Sequence, residues 1–360
     1  MYMNRTRKHR AAFFILCSVA CAGYAAEAVE PTPEVIPSDL YTHPNALVTV
    51  QGPRRMNLLC VGQGVPVVLF DAGSGFDMIT WRHVQGQVGK FTRSCAFDRA
   101  GYGYSDESSR AADGRNAADD VHRLLRSASI TGGVVYVGHS GGGLYAEFLQ
   151  RYHPEDLMGA VLVDPAFPGW FKTTVVGLSV DQTRLALAPP SWIKEISVCL
   201  ELARKGTLAV PSTDQEHACA YPAWYPEPVD EVLHREIARR FSEPKLWRAR
   251  EMEFASIRPS SGLLSLDDQE LPSLVSFGEK PLVVLTHGNW YDKDDETTPG
   301  VQAQQFASWT KAHDEIVASS KRGVHLVALG SGHFIQTEQP QIVIDAILQV
   351  LTQVSAAKKN

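Results

Sequence analysis

Short apolar segments alternate with helix-length segments along most of this chain, and this alternation constrains its fold more than any other feature. Six such segments are rich in valine and leucine and are bounded by turn residues: 65–70, 94–97, 134–137, 160–163, 282–285 and 325–329. Continuous apolar runs of this length are typical of parallel strands buried on both faces. Candidate helices lie between them, at residues 116–127, 142–152, 301–319 and 341–354. The alternation predicts an α/β fold with a doubly wound sheet.

Residues 166–278 interrupt this alternation. The segment contains four of the seven tryptophans and a stretch of prolines and aromatic residues at 221–226, and it is otherwise mainly helical in pattern, for example at 229–241 and 244–254. We predict a helical insertion between two core strands, with 46–165 and 279–355 as the core. Its aromatic side chains could line an apolar pocket or fill an ordinary core, and the sequence favours neither.

The first 26 residues differ in composition from the rest of the chain. Four basic residues precede an uncharged apolar stretch at 11–22, small residues follow, and the first acid is Glu27. This layout is typical of a secretory signal peptide, and about 12 apolar residues are too few to span a bilayer. We therefore predict export, to the periplasm or beyond, with no stable membrane insertion after the leader is removed. Prolines between 31 and 44 predict an extended linker over residues 27–45.

Charge and cysteine content exclude several functions. The net charge of −6 gives no electrostatic reason to expect nucleic acid as a partner. Four of the six cysteines lie outside the leader, namely Cys60, Cys95, Cys199 and Cys219, and in an exported protein they predict two disulfides with three possible pairings. The chain has neither Cys-x-x-Cys nor His-Glu-x-x-His, so we predict no metal.

The string Gly-His-Ser-Gly-Gly at 138–142 follows one apolar strand and precedes a candidate helix. A glycine-flanked serine between strand and helix is the arrangement of a nucleophile elbow, which presents the serine hydroxyl at a sharp turn. The helix N-terminus and the amide of Gly141 would then face a developing oxyanion. We predict Ser140 as the nucleophile. The alternative is a structural turn in which Ser140 only caps the helix.

Over residues 46–355 the chain resembles the α/β-hydrolase superfamily, in particular serine esterases and lipases with a helical cap. Four segments match in the family's order: Phe-Asp-Ala-Gly-Ser-Gly at 70–75, Phe-Asp-Arg-Ala-Gly-Tyr-Gly-Tyr-Ser at 97–105, the elbow, and Gly-Ser-Gly-His-Phe at 330–334. The resemblance implies an eight-stranded, mostly parallel sheet with helices on both faces. It also implies that the insertion lies over Ser140 as a cap.

The resemblance assigns the residues that would assist Ser140. His333, in a glycine turn after a strand, is the catalytic base. The backbone amides of Ser74 and Gly141, helped by Gly73, form the oxyanion hole. His139 is structural, and Asp98 with Arg99 forms a structural corner.

The acid of the triad is less usual. The loop after strand 282–285 lacks the family's compact Gly-x-x-Asp and offers Asp292. The earlier strand ends in Asp-Pro-Ala at 164–166, which is similar to lipases of the pancreatic type, so we assign Asp164 and keep Asp292 as the alternative. Asp-Pro is also a common turn or helix cap. For the cysteines, the resemblance implies a Cys60–Cys95 bridge, and with it a Cys199–Cys219 bridge within the insertion.

These assignments predict a serine hydrolase that needs no cofactor and acts on small-molecule carboxylic esters through an acyl-enzyme. Epoxide hydrolases and dehalogenases of this superfamily use an aspartate where this chain has Ser140. The alternative is an iminopeptidase, amidase or carbon–carbon hydrolase with the same triad. An iminopeptidase would hold the amine of its substrate with acids of the insertion, and the candidates are Glu227, Asp230, Glu231 and Glu236. These acids could equally form a solvated helix face. A non-catalytic binding protein on the same scaffold is a further alternative. Oligomeric state is not predicted.

Overall fold

Eight strands form one mixed sheet, and six of them correspond to the apolar segments of the sequence. The computed structural model describes residues 34–188, 191–221, 229–259, 262–288 and 299–357. The strands are β1 (Ala46–Gln51), β2 (Arg54–Val61), β3 (Val67–Asp71), β4 (Ser94–Phe97), β5 (Val134–His139), β6 (Leu157–Val163), β7 (Leu282–His287) and β8 (Gly323–Ala328). The remaining two, β1 and β2, were not among those segments; β1 is largely solvent-accessible, whereas β2 is buried over residues 56–59.

The sheet has the order β1-β2-β4-β3-β5-β6-β7-β8. Strand β2 pairs antiparallel with both of its neighbours, and every other pair is parallel. Cys60 of β2 lies directly opposite Cys95 of β4, and the two form a disulfide. The carboxyl ends of β3, β5, β6, β7 and β8 therefore lie along one edge of the sheet, where α/β proteins bind their ligands.

Helices cover both faces of the sheet, so the predicted α/β-hydrolase fold class is confirmed. The helices are α1 (Arg82–Val88), α2 (Gly114–Ser127), α3 (Gly141–Tyr152), α4 (Trp170–Thr174), α5 (Val180–Leu187), α6 (Ser191–Lys205), α7 (Asp214–Ala220), α8 (Glu231–Phe241), α9 (Pro244–Ile257), α10 (Leu266–Glu270), α11 (Pro299–Ala318), α12 (Ile335–Glu338) and α13 (Pro340–Ala357). Side chains alternate along each strand: Val135 and Val137 pack with α1 and α13, while Val134 and Tyr136 pack with α2, α3 and α11.

The described part of the predicted linker is packed onto the core, which corrects the prediction of an extended segment. Ile36 is fully buried and its amide donates a hydrogen bond to the carbonyl of Arg82 (3.1 Å). Tyr41, in a short 3-10 turn, is 1% exposed. Single apolar residues between prolines give no periodic signal, so the sequence pattern missed this contact. The predicted leader, residues 1–26, lies outside the described residues.

Residues between β6 and β7 form helices α4 to α10, as the sequence predicted. A disulfide joins Cys199 of α6 to Cys219 of α7. The buried side chains of this segment, such as Leu233 and Trp247, continue the apolar cluster on one face of the sheet. Treating residues 166–278 as a separate cap domain stays a prediction.

Helix α13 has the length and apolar composition of a membrane span and is the one such helix among the described residues. In this fold its side chains Val343, Ile347, Val350 and Val354 are buried in the cluster beneath the sheet. Packing against the core accounts for its apolar composition.

Candidate active site

Ser140 occupies a sharp turn between β5 and α3. Its backbone has φ 50° and ψ −117°, a conformation that L-residues rarely adopt and that is common at functional sites. Its amide donates to the carbonyl of Val163 (3.0 Å), and its own carbonyl accepts from the amide of Gly143 (2.9 Å) as α3 begins. A Cβ atom on Gly138 would lie 2.3 Å from the carbonyl oxygen of Gly142, so the turn requires glycine there. The local sequence thus imposes the elbow.

His333 lies in the loop after β8. Its Nδ1 is 2.5 Å from Oδ2 of Asp164, and its side chain is 39% exposed. An ionised carboxylate only accepts hydrogen bonds, so Nδ1 of His333 carries the proton and donates it. In the neutral imidazole, Nε2 is then left as the acceptor, which is the tautomer that a general base requires.

Asp164 follows β6 directly and is fully buried, with φ 47°. Besides His333, its carboxylate accepts hydrogen bonds from His287 Nδ1 (2.6 Å), the His287 amide (3.3 Å) and Trp309 Nε1 (2.9 Å). Burial alone would raise the pKa of Asp164, but the hydrogen bonds from His287 and His333 outweigh it and hold that pKa well below its usual range. The structure therefore brings Asp164 against His333 as an ionised carboxylate. The alternative acid, Asp292, lies outside the described residues.

Sequence reasoning missed His287. This residue ends β7, beside β6, and its side chain is 4% exposed. A signal was available, because a histidine at the carboxyl end of a strand adjacent to Asp164 must lie at the same sheet edge.

His139 contacts His333 from the strand side. Its Nε2 donates to the backbone carbonyl of His333 (2.9 Å), and the ring centroids are 4.6 Å apart. Burial lowers the pKa of His139 to about 3, so the ring is neutral at ordinary pH. His139, for which a structural role was predicted, thus anchors the loop that carries His333 through this hydrogen bond.

The loop after β3 passes beside the elbow. A Cβ atom on Gly141 would lie 2.0 Å from Oγ of Ser74 and 3.4 Å from its amide nitrogen, so the two backbones are adjacent. A Cβ atom on Gly73 would lie 3.3 Å from Cβ of Ser140. The Ser74 hydroxyl is buried with no hydrogen-bond partner among the described residues. Two amides that could hold an oxyanion therefore lie next to Ser140.

Two charged side chains, Arg99 and Glu253, hold the loop after β3 in place. Arg99 donates to the carbonyls of Ala72 (2.6 Å) and Gly73 (2.8 Å) and pairs with Asp71 (2.5 Å). Glu253 of α9 pairs with Arg99 (2.9 Å) and accepts from the amide of Gly75 (3.0 Å). Arg99 was predicted as a structural corner, whereas Glu253 was not singled out. Its contact with Gly75 spans 178 positions of the chain, a separation for which the sequence carries no pattern.

A cavity of about 590 Å³ opens above Ser140. Ser140, His333 and the loop residues Gly73 and Ser74 line it from the core, together with Gly141. The helical segment between β6 and β7 contributes Trp170, Ile193, Arg250, Phe254, Ile257 and Arg258. Some aromatic residues of the insertion therefore line a pocket, while others, such as Trp247, fill the core.

Three of the four acids predicted for an iminopeptidase are described, and they lie away from this cavity. Asp230 caps α8, Glu231 pairs with Arg235 on the surface (2.5 Å), and Glu236 pairs with Arg240 (2.9 Å). None of these three lines the cavity. Glu227 lies outside the described residues.

Two groups of histidines and acids have ligand atoms close enough to hold a metal ion. One comprises Asp164, His287 and His333, and the other comprises His122, His153, Glu155 and Asp156. In each group, hydrogen bonds between members already occupy ligand atoms, such as His122 Nδ1 with Asp156 Oδ2 (2.6 Å). The prediction that the protein uses no metal stays a prediction.

A sequence model of the alpha/beta hydrolase family matches residues 67–346. The chain is 25% identical over 334 residues to a Hormonema carpetanum protein named probable transporter efuK; the match covers 89% of this chain and 43% of that protein, so this chain spans less than half of its length. An esterase structure from Thermogutta terrifontis matches with a TM-score of 0.52 and 20% identity, over 86% of this chain and 97% of the esterase. The N-formylmaleamic acid deformylase of Pseudomonas putida S16 matches with a TM-score of 0.54 and 18% identity, over 83% of this chain and 98% of the deformylase. At these identities the structural likeness shows the fold alone.

Proposed function

The chain belongs to the alpha/beta hydrolase family, and we propose that it is a serine hydrolase that cleaves carboxylic esters of small or medium size. One observation carries the proposal. His333 donates to the buried carboxylate of Asp164 (2.5 Å) and lines the same cavity as Ser140, which stands on a strained turn. A serine, an oriented histidine and an acid in one cavity form the set that acyl transfer requires.

In the acylation step, Oγ of Ser140 attacks the ester carbonyl carbon while Nε2 of His333 accepts the hydroxyl proton. The carbonyl oxygen gains negative charge, and the amides of Ser74 and Gly141 donate hydrogen bonds to it. The carbon–oxygen bond to the alcohol then breaks, and His333 returns the proton to the departing oxygen. The products of this step are a free alcohol and an acyl group on Ser140.

In the deacylation step, water attacks the acyl-serine and gives a proton to His333. Collapse of the second tetrahedral intermediate releases the carboxylic acid and returns the proton to Ser140. In both steps Asp164 keeps Nδ1 of His333 protonated and stabilises the imidazolium that forms. Because the pKa of Asp164 is held low, its negative charge is present whenever the imidazolium appears.

Export completes the proposal. The leader pattern of residues 1–26 and the two disulfides are consistent with an oxidising compartment. The mass of the protein recovered from outside the cytoplasm tests this, since removal of the leader leaves a chain that begins near Glu27. A full-length chain confined to the cytoplasm, with free thiols, would contradict it.

The catalytic assignment is tested by turnover of 4-nitrophenyl butyrate. Ser140→Ala should reduce kcat by about 10⁶-fold, and Asp164→Asn by about 10⁴-fold because the asparagine amide favours the wrong tautomer of His333. Asp292→Asn is the matched control for the acid and should change kcat little. Equal small losses in Asp164→Asn and Asp292→Asn would contradict the assignment of Asp164.

The same triad can cleave an amide or a carbon–carbon bond, so the leaving group must be tested directly. We expect faster turnover of 4-nitrophenyl esters than of the matching 4-nitroanilides and of prolyl 4-nitroanilide. For prolyl 4-nitroanilide, which carries a free amine, the reason is that none of the described acids proposed to hold a substrate amine lines the cavity. Preferential cleavage of prolyl 4-nitroanilide would replace the esterase assignment with an iminopeptidase.

A further inference from the structure

A network of hydrogen bonds lies on the α11 face of the sheet, behind the triad. Thr286 of β7 is at its centre, and its Oγ1 lies 2.6 Å from Nδ1 of His313 and 2.6 Å from Nε2 of His325. On the outer side, Nδ1 of His325 is 2.7 Å from Oδ1 of Asp314, which is 63% exposed. On the inner side, Nε2 of His313 is 2.9 Å from the carbonyl oxygen of Pro165. The network therefore extends from a surface carboxylate to the residue that follows the triad acid.

The tautomer of His313 follows from its partners. This residue of α11 is fully buried, and burial lowers its pKa to about 4, so the imidazole is neutral at neutral pH and carries one proton. A carbonyl oxygen only accepts hydrogen bonds, so the proton is on Nε2 and is donated to Pro165. Nδ1 of His313 is then an acceptor, and the hydroxyl of Thr286 donates to it.

The protonation of His325 follows in the same way. The Thr286 hydroxyl has one proton, which it donates to His313, so its oxygen accepts from Nε2 of His325. The carboxylate of Asp314 accepts from Nδ1 of the same ring. His325 of β8 thus carries a proton on both nitrogens in this arrangement and pairs with Asp314 as an imidazolium. The three inner hydrogen bonds therefore all point toward Pro165.

Pro165 belongs to a turn that contacts both the acid and the nucleophile. Asp164 precedes it, and the amide of Ala166 donates to the carbonyl of Ser140 (3.0 Å). A Cβ atom on Gly143, in the first turn of α3, would lie 2.5 Å from Cβ of Pro165, so the turn is packed against the elbow. Any shift of this turn changes the position of the acid relative to the nucleophile.

We propose that His313 is a positioning residue of the reaction: its hydrogen bond to Pro165 holds the turn that carries Asp164, and Thr286 keeps His313 in the tautomer that makes this bond. In the other neutral tautomer, Nε2 of His313 would turn a lone pair toward the carbonyl, and two acceptors form no hydrogen bond. The inference rests on the proposed hydrolase function. Misplacing reacting groups by about 1 Å costs about 10²-fold in rate, so we expect a smaller shift of the turn to cost about tenfold.

Two variants of Thr286 separate the hydrogen bond from packing. Thr286→Val keeps the shape of the side chain and removes the hydroxyl, whereas Thr286→Ser keeps the hydroxyl and removes a methyl group. With 4-nitrophenyl butyrate, kcat should fall about tenfold in Thr286→Val with KM unchanged, and should stay within about twofold of the wild type in Thr286→Ser. An equal loss in both variants, or a larger loss in Thr286→Ser, would overturn the proposal because Thr286 would then act through packing.

Thr92→Val is the matched control. Thr92 is also buried and donates through its hydroxyl to a backbone carbonyl, that of Pro66 (2.7 Å), but it precedes β4 at the opposite edge of the sheet. Its replacement removes a buried hydrogen bond and should leave kcat at the wild-type value. A tenfold loss of kcat in Thr92→Val would overturn the proposal, since the loss in Thr286→Val would then report a general effect of removing a buried hydrogen bond.

Nitrogen-15 NMR of the histidine side chains tests the inference without a substrate. At neutral pH, we predict that His313 has its proton on Nε2 in the wild type and in Thr286→Ser, with its signals assigned from their absence in His313→Gln. A proton on Nδ1 of His313 in an active enzyme would overturn the inference and leave the hydrolase function intact. The predicted tautomer in a wild type that cleaves no ester would contradict the hydrolase function instead.

Discussion

Asp164 accepts a hydrogen bond from Nδ1 of His287 at 2.6 Å, on the same Oδ2 that accepts from His333. One buried carboxylate therefore accepts hydrogen bonds from two imidazoles. His287 holds Asp164 in place, and Asp164 in turn orients His333. The backbone of Asp164 has φ 47°, a conformation that L-residues keep only where the surrounding contacts hold it.

Replacing His287 should weaken catalysis without touching substrate. In His287→Ala, Asp164 loses two constraints at once, the hydrogen bond and the packed ring, and we expect kcat to fall about tenfold with KM unchanged. His287→Asn should recover most of this loss, because its side-chain amide can donate to Oδ2. Wild-type kcat in His287→Ala, or an equal loss in both variants, would show that His287 does not position Asp164.

Glu253 should affect both stability and the oxyanion loop. Its carboxylate is buried between Arg99 and the amide of Gly75, so Glu253→Gln removes one of the two buried carboxylates that pair with Arg99, the other being Asp71. We expect the free energy of unfolding to fall by about 3 kcal/mol and kcat to fall with it. Glu251→Gln, an exposed position on the same helix, is the control for denaturant unfolding and kinetics. Equal stability of the two variants would contradict the account of this clamp.

The contact between Gly141 and Ser74 gives a paired prediction. In Gly141→Ala the new Cβ would lie 2.0 Å from Oγ of Ser74 and 3.4 Å from its amide nitrogen, so the hydroxyl would have to move and the loop that carries one oxyanion donor would be crowded. We expect kcat to fall about 10²- to 10³-fold. Ser74→Ala removes the clashing oxygen and leaves Cβ at 3.3 Å, so the double variant should be more active than Gly141→Ala alone. A double variant that is no better would place the defect elsewhere.

Glu147 predicts a pH dependence of stability. This side chain of α3 is 1% exposed, and burial raises its pKa from the usual 4.5 to about 8. The folded state therefore holds a proton that the unfolded state releases. The stability that this proton confers is complete below pH 4.5 and is lost as the pH rises through 8. Glu147→Gln should have a higher Tm than the wild type at pH 8, and the difference should shrink at pH 5. A difference that does not vary with pH would contradict this.

Much of the site followed from local sequence because it is built from strand ends. The elbow around Ser140 is a strand, a turn and a helix within 20 residues, and Gly138 is required by a contact with Gly142 inside the turn. His333 and Asp164 each directly follow or lie near the end of a strand, and parallel strands bring their carboxyl ends to one edge. Strand β7 lies between β6 and β8, so Asp164 and His333 meet at this shared edge and not through a direct strand pair.

What the sequence did not predict depends on contacts across the fold. Glu253 accepts a hydrogen bond from the loop after β3 across 178 positions of the chain, and an alternation of apolar residues carries no information on such a meeting. The burial of Ile36 and Tyr41 likewise depends on a surface formed by distant elements. His287 is the exception, since its position at the end of β7 was a local signal.

The identity of the nucleophile is the central claim, and covalent labelling tests it most directly. The folded protein is treated with a fluorophosphonate, and the modified residue is located by peptide mass spectrometry. We predict one phosphonyl group per chain on Ser140, absent in Ser140→Ala and retained in Ser129→Ala, an exposed serine that also has positive φ (56°). Labelling at another residue, or no labelling of a protein that hydrolyses esters, would contradict the account.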